Sequence, residues 1–384
     1  MNTLFDVSKG QNQMKEWRRH IHQYPETAFE EVKTAEYVAS LLTSWGYDVV
    51  TGIGRTGIVA SLTHGSGEAV IGLRADMDAL PVTETADIDY KSQHPGKMHA
   101  CGHDGHTAML LGAARFLSHT KRFNGTVRLI FQPAEEAISG APAMIKDGLL
   151  EKFPMDAVFG LHNMPGLPQG TFHFREGPMM AAVDNWEVTL TGKGSHGSMP
   201  EKSIDPVVAG ASIVMALQTV VARNVPPLES AVVSVGAFQA GDAGNVIPQT
   251  AVLRLSIRSL TQDTRKLVLE RVNAIIENQA ACFSVGVDIR QGSPGEVLEN
   301  DPSQTRFASQ VVSDLLGPDK VFTDGTTYMG SEDFAFFSAQ VPGCYCMIGN
   351  GDTPMVHHPD YRFDDRNLSL GAAYWVALVE SFLK

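Results

Sequence analysis

At 384 residues the chain is longer than one hydrophobic core usually supports, so two domains are expected. Its 43% hydrophobic and 19% charged content is ordinary for a soluble globular enzyme. A net charge of −13 excludes nucleic acid or a membrane surface as a partner held by bulk electrostatics. An anionic small substrate stays open, because the local field of a site can oppose the global charge.

Met1 to Gly10 carries neither a cationic n-region nor an apolar h-region, so no signal peptide is expected. No apolar run reaches the roughly 18 residues that a membrane span needs. Among the four cysteines, Cys344 and Cys346 lie too close for an easy disulfide, and Cys101 falls in a metal-binding segment. That usage fits a reducing, cytoplasmic location.

The first helix is predicted from about Lys9 to His22, stopping before Pro25, and a second from Phe29 to Gly46, where glycine supplies the stop. Residues 69–75 (AVIGLRA), 126–131 (TVRLIF) and 156–161 (DAVFGL) are short apolar runs of the kind that fill a parallel sheet. Helical patterns separate them, at 104–119, with Asp104 as the predicted N-cap, and at 141–150. Strands alternating with helices imply an α/β unit with right-handed crossovers.

The texture changes after Gly177-Pro178. A half-exposed strand at 186–191, a helix at 205–223, strands at 231–238 and 250–259, a helix at 261–281 and a strand at 283–291 follow. This β-α-β-β-α-β order predicts a small ferredoxin-like α+β domain. From Ser303 helix and strand alternate again and close with a helix at 367–383. The expected organisation is therefore a discontinuous α/β domain, 1–178 and 292–384, with a mostly parallel sheet, interrupted by an inserted domain at 179–291.

The chemistry concentrates at Cys101-Gly-His103-Asp104-Gly-His106, which packs a thiol, two imidazoles and a carboxylate into six residues. Thiolate and imidazole together suit zinc or a neighbouring transition metal. In an open parallel sheet, ligands bind beyond the carboxyl ends of the strands. Three predicted strands run there into polar groups: Asp76-Met77-Asp78, Gln132-Pro133-Ala134-Glu135-Glu136, and His162-Asn163. One such ending is unremarkable in a solvated loop, but three of them converge with the Cys101 segment.

Adjacent carboxylates beyond a strand point in different directions, so of Glu135 and Glu136 one can bind metal while the other serves as general base. Asp76 and Asp78 are candidates for orienting ligating imidazoles. His357-His358-Pro359 supplies a further ligand candidate, although a histidine pair in a loop is commonly a surface feature. Gly192-Lys-Gly194-Ser-His-Gly197 formally matches G-x-G-x-x-G, but Pro200 interrupts the following turn and no buried parallel unit surrounds it. The dinucleotide reading is rejected, which leaves His196 as an exposed histidine on a glycine-rich turn. A G-x-S-x-G nucleophile elbow is absent.

Taken together these motifs resemble the M20 metallopeptidase family, and specifically its amidohydrolase branch. That branch holds hippurate hydrolases, indole-acetyl-amino-acid hydrolases and N-acetyl-diaminopimelate deacetylases. The resemblance covers nearly the whole chain. It runs through Arg18-Arg19-x-x-His22-x-x-Pro25-Glu26, Asp76-Met77-Asp78-Ala79-Leu80-Pro81 and His99-Ala100-Cys101-Gly102-His103-Asp104-Gly105-His106. It continues with Gln132 to Glu136, Gly160-Leu161-His162, Asn245-Val246-Ile247-Pro248, Ser331-Glu332-Asp333-Phe334 and His357-x-Pro359.

The resemblance implies two divalent ions, zinc or manganese, held by Cys101, His103, Glu136, His162 and His357. It favours His357 over His358 because the family's last ligand sits two residues before a proline. Cys101 stands where many relatives bridge the ions with an acidic residue, and Asp76-Met-Asp78 stands where the wider family has His-x-Asp. The amidohydrolase branch shares both changes. Glu135 would be the general base, Asp78 a further residue of the catalytic set, and His196 would stabilise the oxyanion. Asn245 and Arg258 would hold the substrate's free carboxylate, a task that suits the planar guanidinium fork. The inserted domain resembles the family's lid and dimerisation domain, so a homodimer or higher homo-oligomer is expected. The implied reaction cleaves N-acyl or N-aroyl amino acids into a carboxylic acid and a free amino acid. The alternatives are a dipeptidase or carboxypeptidase, and an N-acetyl-diaminopimelate deacetylase.

Overall fold

The apolar runs that read as strands become the middle of an eight-stranded sheet in the computed structural model, which describes residues 3–384. Val70–Asp76, Gly125–Gln132, Ala157–Met164 and Gly343–Gly349 are its four central strands, and all their mutual pairings are parallel. Their side chains are almost wholly buried, as expected of strands covered on both faces. The two edges depart from this. Asp48–Ile53 and Gly57–His64 form a hairpin that adds antiparallel to the Gly125–Gln132 strand, and the short Phe172–His173 strand lies antiparallel to Gly343–Gly349.

The chain separates into two compact units. The first runs up to Gly177 and resumes over Glu299–Thr326 and Asp333–Lys384; the second is Pro178–Leu298 together with Thr327–Glu332. The helix His103–Thr120 lies in the core of the first unit, packed against the helices Gln11–Gln23 and Asn367–Phe382. Its opening is set by Gly102, which has φ +93°. A Cβ there would collide with the carboxamide oxygen of Asn163, so the Cys-Gly-His spacing is a requirement of packing.

Two local expectations are corrected. Asp104 is not the N-cap: the helix begins at His103, Gly102 holds the cap position, and Asp104 is buried in the first turn. Its carboxylate is taken by Arg18 (3.0 Å) and His22 (2.9 Å) instead of the helix's own N–H groups. The helix expected over 141–150 is broken into Gly140–Lys146 and Leu149–Lys152, because Gly148 adopts φ +85° between them.

The second unit has a four-stranded antiparallel sheet in which Thr250–Ser259 pairs with both Ala231–Ala240 and Ala182–Thr191, and Gly286–Gln291 closes the other edge. Two helices, Pro206–Asn224 and Gln262–Cys282, cover one face through Ile213, Leu217, Val268, Val272 and Ile276. This is the ferredoxin-like arrangement expected from the strand and helix order. Among the described residues, Pro206–Asn224 is long and apolar enough to cross a membrane by length and composition, which corrects the expectation that no segment would be. Ala209, Ile213, Leu217 and Val220 bury one face of it against the unit's sheet, while Val208 and Met215 on the other face are exposed.

Candidate metal centre

The parallel strands deliver their polar ends to one edge of the first unit's sheet. Asp76 ends one strand, Glu135 and Glu136 follow the next, and His162 lies near the end of the third. The Cys101 loop and the start of the following helix bring Cys101 and His103 to the same place. Cys101 Sγ lies 3.3 Å from His162 Nε2, and His103 Nε2 lies 3.8 Å from Glu136 and 3.9 Å from Glu135. His357 Nε2 is 3.4 Å from Glu136.

These side chains form overlapping groups. Cys101, His103 and His162 place their donor atoms within 4.8 Å of one another, and so do Cys101, Glu136 and His357. Cys101 belongs to both triads. The five residues expected as ligands are thus brought together, with Glu135 grouped with His103 and Glu136. His358 points its chemistry elsewhere: its Nδ1 accepts the backbone N–H of Asp360.

Several hydrogen bonds aim the imidazoles. Nδ1–H of His103 donates to the carbonyl oxygen of Asp78 at 2.8 Å, and Nδ1–H of His162 donates to the carbonyl of Asn163 at 2.5 Å. Because a carbonyl can only accept, both rings keep Nε2 for another partner. His106 is held differently, with one nitrogen on Asp76 (2.6 Å) and the other accepting the N–H of Asn163 (3.1 Å). With both ring nitrogens engaged, His106 has none left for an ion, whereas His103 keeps Nε2.

Two buried atoms in the cluster, His103 Nε2 and Glu136 Oε1, have no hydrogen-bond partner among the described residues. Buried polar atoms without partners are rare, and both face the same group of donors. The electrostatics agree. Burial opposes charge on His103, but Asp76, Asp78 and Glu136 outweigh it and raise the ring to about 10. Burial and the neighbouring Glu136, Glu135 and Asp76 carboxylates push the Cys101 thiol well up. Glu136, although buried, is held below the usual carboxylate range by His357 and His103. A thiol, imidazoles and carboxylates crowded around excess negative charge are the donor set that a divalent cation fits.

Beneath the cluster Asp76 is held well down despite burial by His103, His106 and Arg74. Arg74 is itself fully buried and bonds Asp76 at 2.8 Å, Gln132 at 2.8 Å and Asp333 at 3.1 Å. Sequence reading missed Arg74 because it sits inside an apolar strand, where its only signal was a charge in a run of AVIGLRA.

The remaining expected site residues lie in the second unit. His196 and Asn245 are neighbours there: Ser195–His196 pairs with Val246–Ile247, and the N–H of Gly197 donates to the Asn245 carbonyl at 2.7 Å. His196 is exposed, with Nδ1 2.8 Å from the Ser198 hydroxyl. The glycine-rich segment runs into the 3-10 turn Pro200–Lys202, its own glycines open no helix, and the strand before it, Ala182–Thr191, pairs antiparallel, so it does not form a dinucleotide fingerprint. Arg258 lies on the Thr250–Ser259 strand, where its Nη1 donates to the Met329 carbonyl (2.8 Å) and the Ser331 hydroxyl (3.2 Å).

Residues 72–381 match Peptidase family M20/M25/M40. The chain belongs to this family. It is 42% identical to a hippurate hydrolase of Campylobacter jejuni over 384 residues, covering 100% of each chain. It is 39% identical to an N-acetyl-L-cysteine deacetylase of Bacillus subtilis, covering 94% of this chain and 85% of that one. Among solved structures it is similar to the Bacillus subtilis YxeP protein, described as a dinuclear metal-binding peptidase of the M20 family. The TM-score is 0.85 at 32% identity, covering 98% of this chain and 99% of that one. The chain is an enzyme of the amidohydrolase branch, as its motifs implied.

Proposed function

We propose that this amidohydrolase cleaves N-acyl or N-aroyl amino acids to a carboxylic acid and a free amino acid. The observation that carries the reading is the pair of donor triads sharing Cys101, with Glu135 beside them. Cys101, His103 and His162 would hold one divalent ion, and Cys101, Glu136 and His357 a second. Zinc suits the thiolate and the imidazoles, and manganese suits the carboxylate of the set. When bound, such ions polarise an amide carbonyl and make water acidic enough to attack at neutral pH.

The chain's own residues do the rest. Glu135 takes a proton from the attacking water and returns it to the leaving nitrogen, so that the amine departs neutral. Asp78 holds the backbone that carries it, accepting the N–H of Glu135 and of Glu136 at 3.0 Å each. His196 donates to the oxyanion of the tetrahedral intermediate. Asn245 and Arg258 bind the free carboxylate of the amino-acid half and so orient the scissile amide. The second unit serves as lid and as the surface through which two chains associate.

Release of free amino acid from a panel tests this reading. The panel holds hippurate, N-acetyl amino acids, an indole-acetyl amino acid, N-acetyl-diaminopimelate and two dipeptides, given to metal-stripped protein with zinc or manganese restored. Metal-dependent turnover of the N-acyl compounds is the expected result, and Glu135→Gln should abolish it while metal stays bound. Cleavage of the dipeptides alone would replace the reading with a peptidase.

A further inference from the structure

Glu31 is a buried carboxylate to which the proposed reaction gives no part. It precedes the helix Val32–Ser44 and is fully buried. Its Oε1 accepts the backbone N–H of Phe29 at 3.0 Å and that of Ala134 at 2.9 Å. Its Oε2 accepts the hydroxyl of Thr56 at 2.6 Å. Although it stands at the N-cap position, its side chain makes no capping bond to the helix. All its hydrogen bonds go to three separate pieces of chain.

Those three pieces share a property. Phe29 has φ +62°, Ala134 has φ +50°, and Arg55, which precedes Thr56, has φ +78°. Residues with side chains avoid this region, and they remain there only where the surroundings over-determine the conformation. Ala134 leads directly into Glu135 and Glu136, whose N–H groups are taken by the two oxygens of Asp78. Three successive N–H groups, 134 to 136, are therefore each held by a buried carboxylate from outside their own loop. Asp78 provides two of these anchors and Glu31 the third.

We propose that Glu31 is a positioning residue for Glu135: by pinning the left-handed Ala134 it fixes the direction in which Glu135 leaves its strand. The inference rests on the reading of Glu135 as the proton carrier. The task calls for acceptors and not for charge, and burial in fact pushes the Glu31 carboxyl up. Glutamine keeps an Oε1 for both N–H groups, and its amide can donate to a rotated Thr56 hydroxyl. Alanine keeps neither.

The experiment is steady-state kinetics on an N-acyl amino acid with the full metal-loaded chain, comparing Glu31→Ala, Glu31→Gln and Glu135→Gln, with metal content measured for each. A misplacement of about 1 Å can cost on the order of 100-fold, so kcat of Glu31→Ala should fall by about that factor. Its KM and metal content should stay within about two-fold of the parent, and Glu31→Gln should recover most of the loss. The inference is overturned if Glu31→Ala keeps its kcat, if its loss follows its metal content, or if glutamine is as poor as alanine. Should the alanine variant fail to fold, Glu31→Asp decides: its shorter arm cannot reach both loops, and an undiminished kcat overturns the inference. Turnover by Glu135→Gln would overturn the underlying reading. An inactive Glu135→Gln beside a fully active Glu31→Ala would remove the Glu31 inference alone.

Discussion

Asp78 and His103 are joined twice, through the Asp78 carbonyl oxygen at 2.8 Å and its carboxylate at 3.3 Å from the same ring nitrogen. The same carboxylate holds the N–H groups of Glu135 and Glu136. One buried residue thus aims the His103 imidazole and braces the loop carrying both glutamates. Removing such a support behind a metal ligand typically costs about 10–100-fold in affinity or activity. Asp78→Ala should weaken metal binding by that order, read by competition with a coloured chelator, and should lower kcat as well. Affinity and kcat both equal to the parent would show that the backbone carbonyl alone suffices.

The two donor triads meet only at Cys101. Cys101→Ala therefore strikes both ion sites at once, whereas His162→Ala and His357→Ala each strike one. Elemental analysis after dialysis should give about two ions per chain for the parent and about one for each histidine variant. The cysteine variant should fall below either histidine variant. A cysteine variant that still holds two ions would remove the shared-ligand arrangement.

Proton competition gives the pH dependence. In metal-free protein His103 is raised to about 10, burial being outweighed by Asp76, Asp78 and Glu136. A raised histidine stabilises the fold below its unfolded value of about 6.5, and that contribution is lost as pH rises toward 10. Metal needs the same nitrogen unprotonated, so affinity should climb with pH between about 6.5 and 10. Protons should be released on binding, from His103 and from the Cys101 thiol, which is also held protonated. Calorimetry at pH 7.5 in buffers of different ionisation enthalpy measures that release; no buffer dependence would contradict it.

Much of this was legible in the sequence for a physical reason. Strands buried on both faces show as unbroken apolar runs, and Val70–Asp76 and Gly125–Gln132 appear within a residue or so of their expected places. The clustering of Cys101, His103, Glu136, His162 and His357 was legible because thiols, imidazoles and carboxylates at strand ends are poor core material. What escaped depends on contacts across distant segments. The Asp48–His64 hairpin was hidden by Gly52, Gly54 and Gly57, which dilute its alternation. Asp104 was misread as a cap because nothing local announces that Arg18 and His22 will claim its carboxylate. Glu31 looked like an ordinary acidic residue opening a helix, and its partners lie 2, 25 and 103 positions away.

Arg258 offers a test that separates substrate binding from chemistry. Its guanidinium is fixed within the second unit by the Met329 carbonyl and the Ser331 hydroxyl, both from the segment that returns to that unit late in the chain. Burial lowers its proton affinity from the ordinary arginine value, yet an arginine stays charged throughout the working range. Fixed at one nitrogen, the fork presents a charged, oriented donor to a carboxylate. Loss of a charge-assisted bond of that kind costs about 1.5–3 kcal/mol, which is roughly 10- to 150-fold in binding. Arg258→Ala should raise KM by that factor for an N-acyl amino acid and change kcat much less. A carboxyl-amidated analogue should be nearly indifferent to the substitution, and Arg258→Lys should recover only part of the affinity because a point charge cannot bind a carboxylate bidentately. Equal losses on both substrates would assign Arg258 to holding the 327–332 segment in place, with no part in carboxylate recognition.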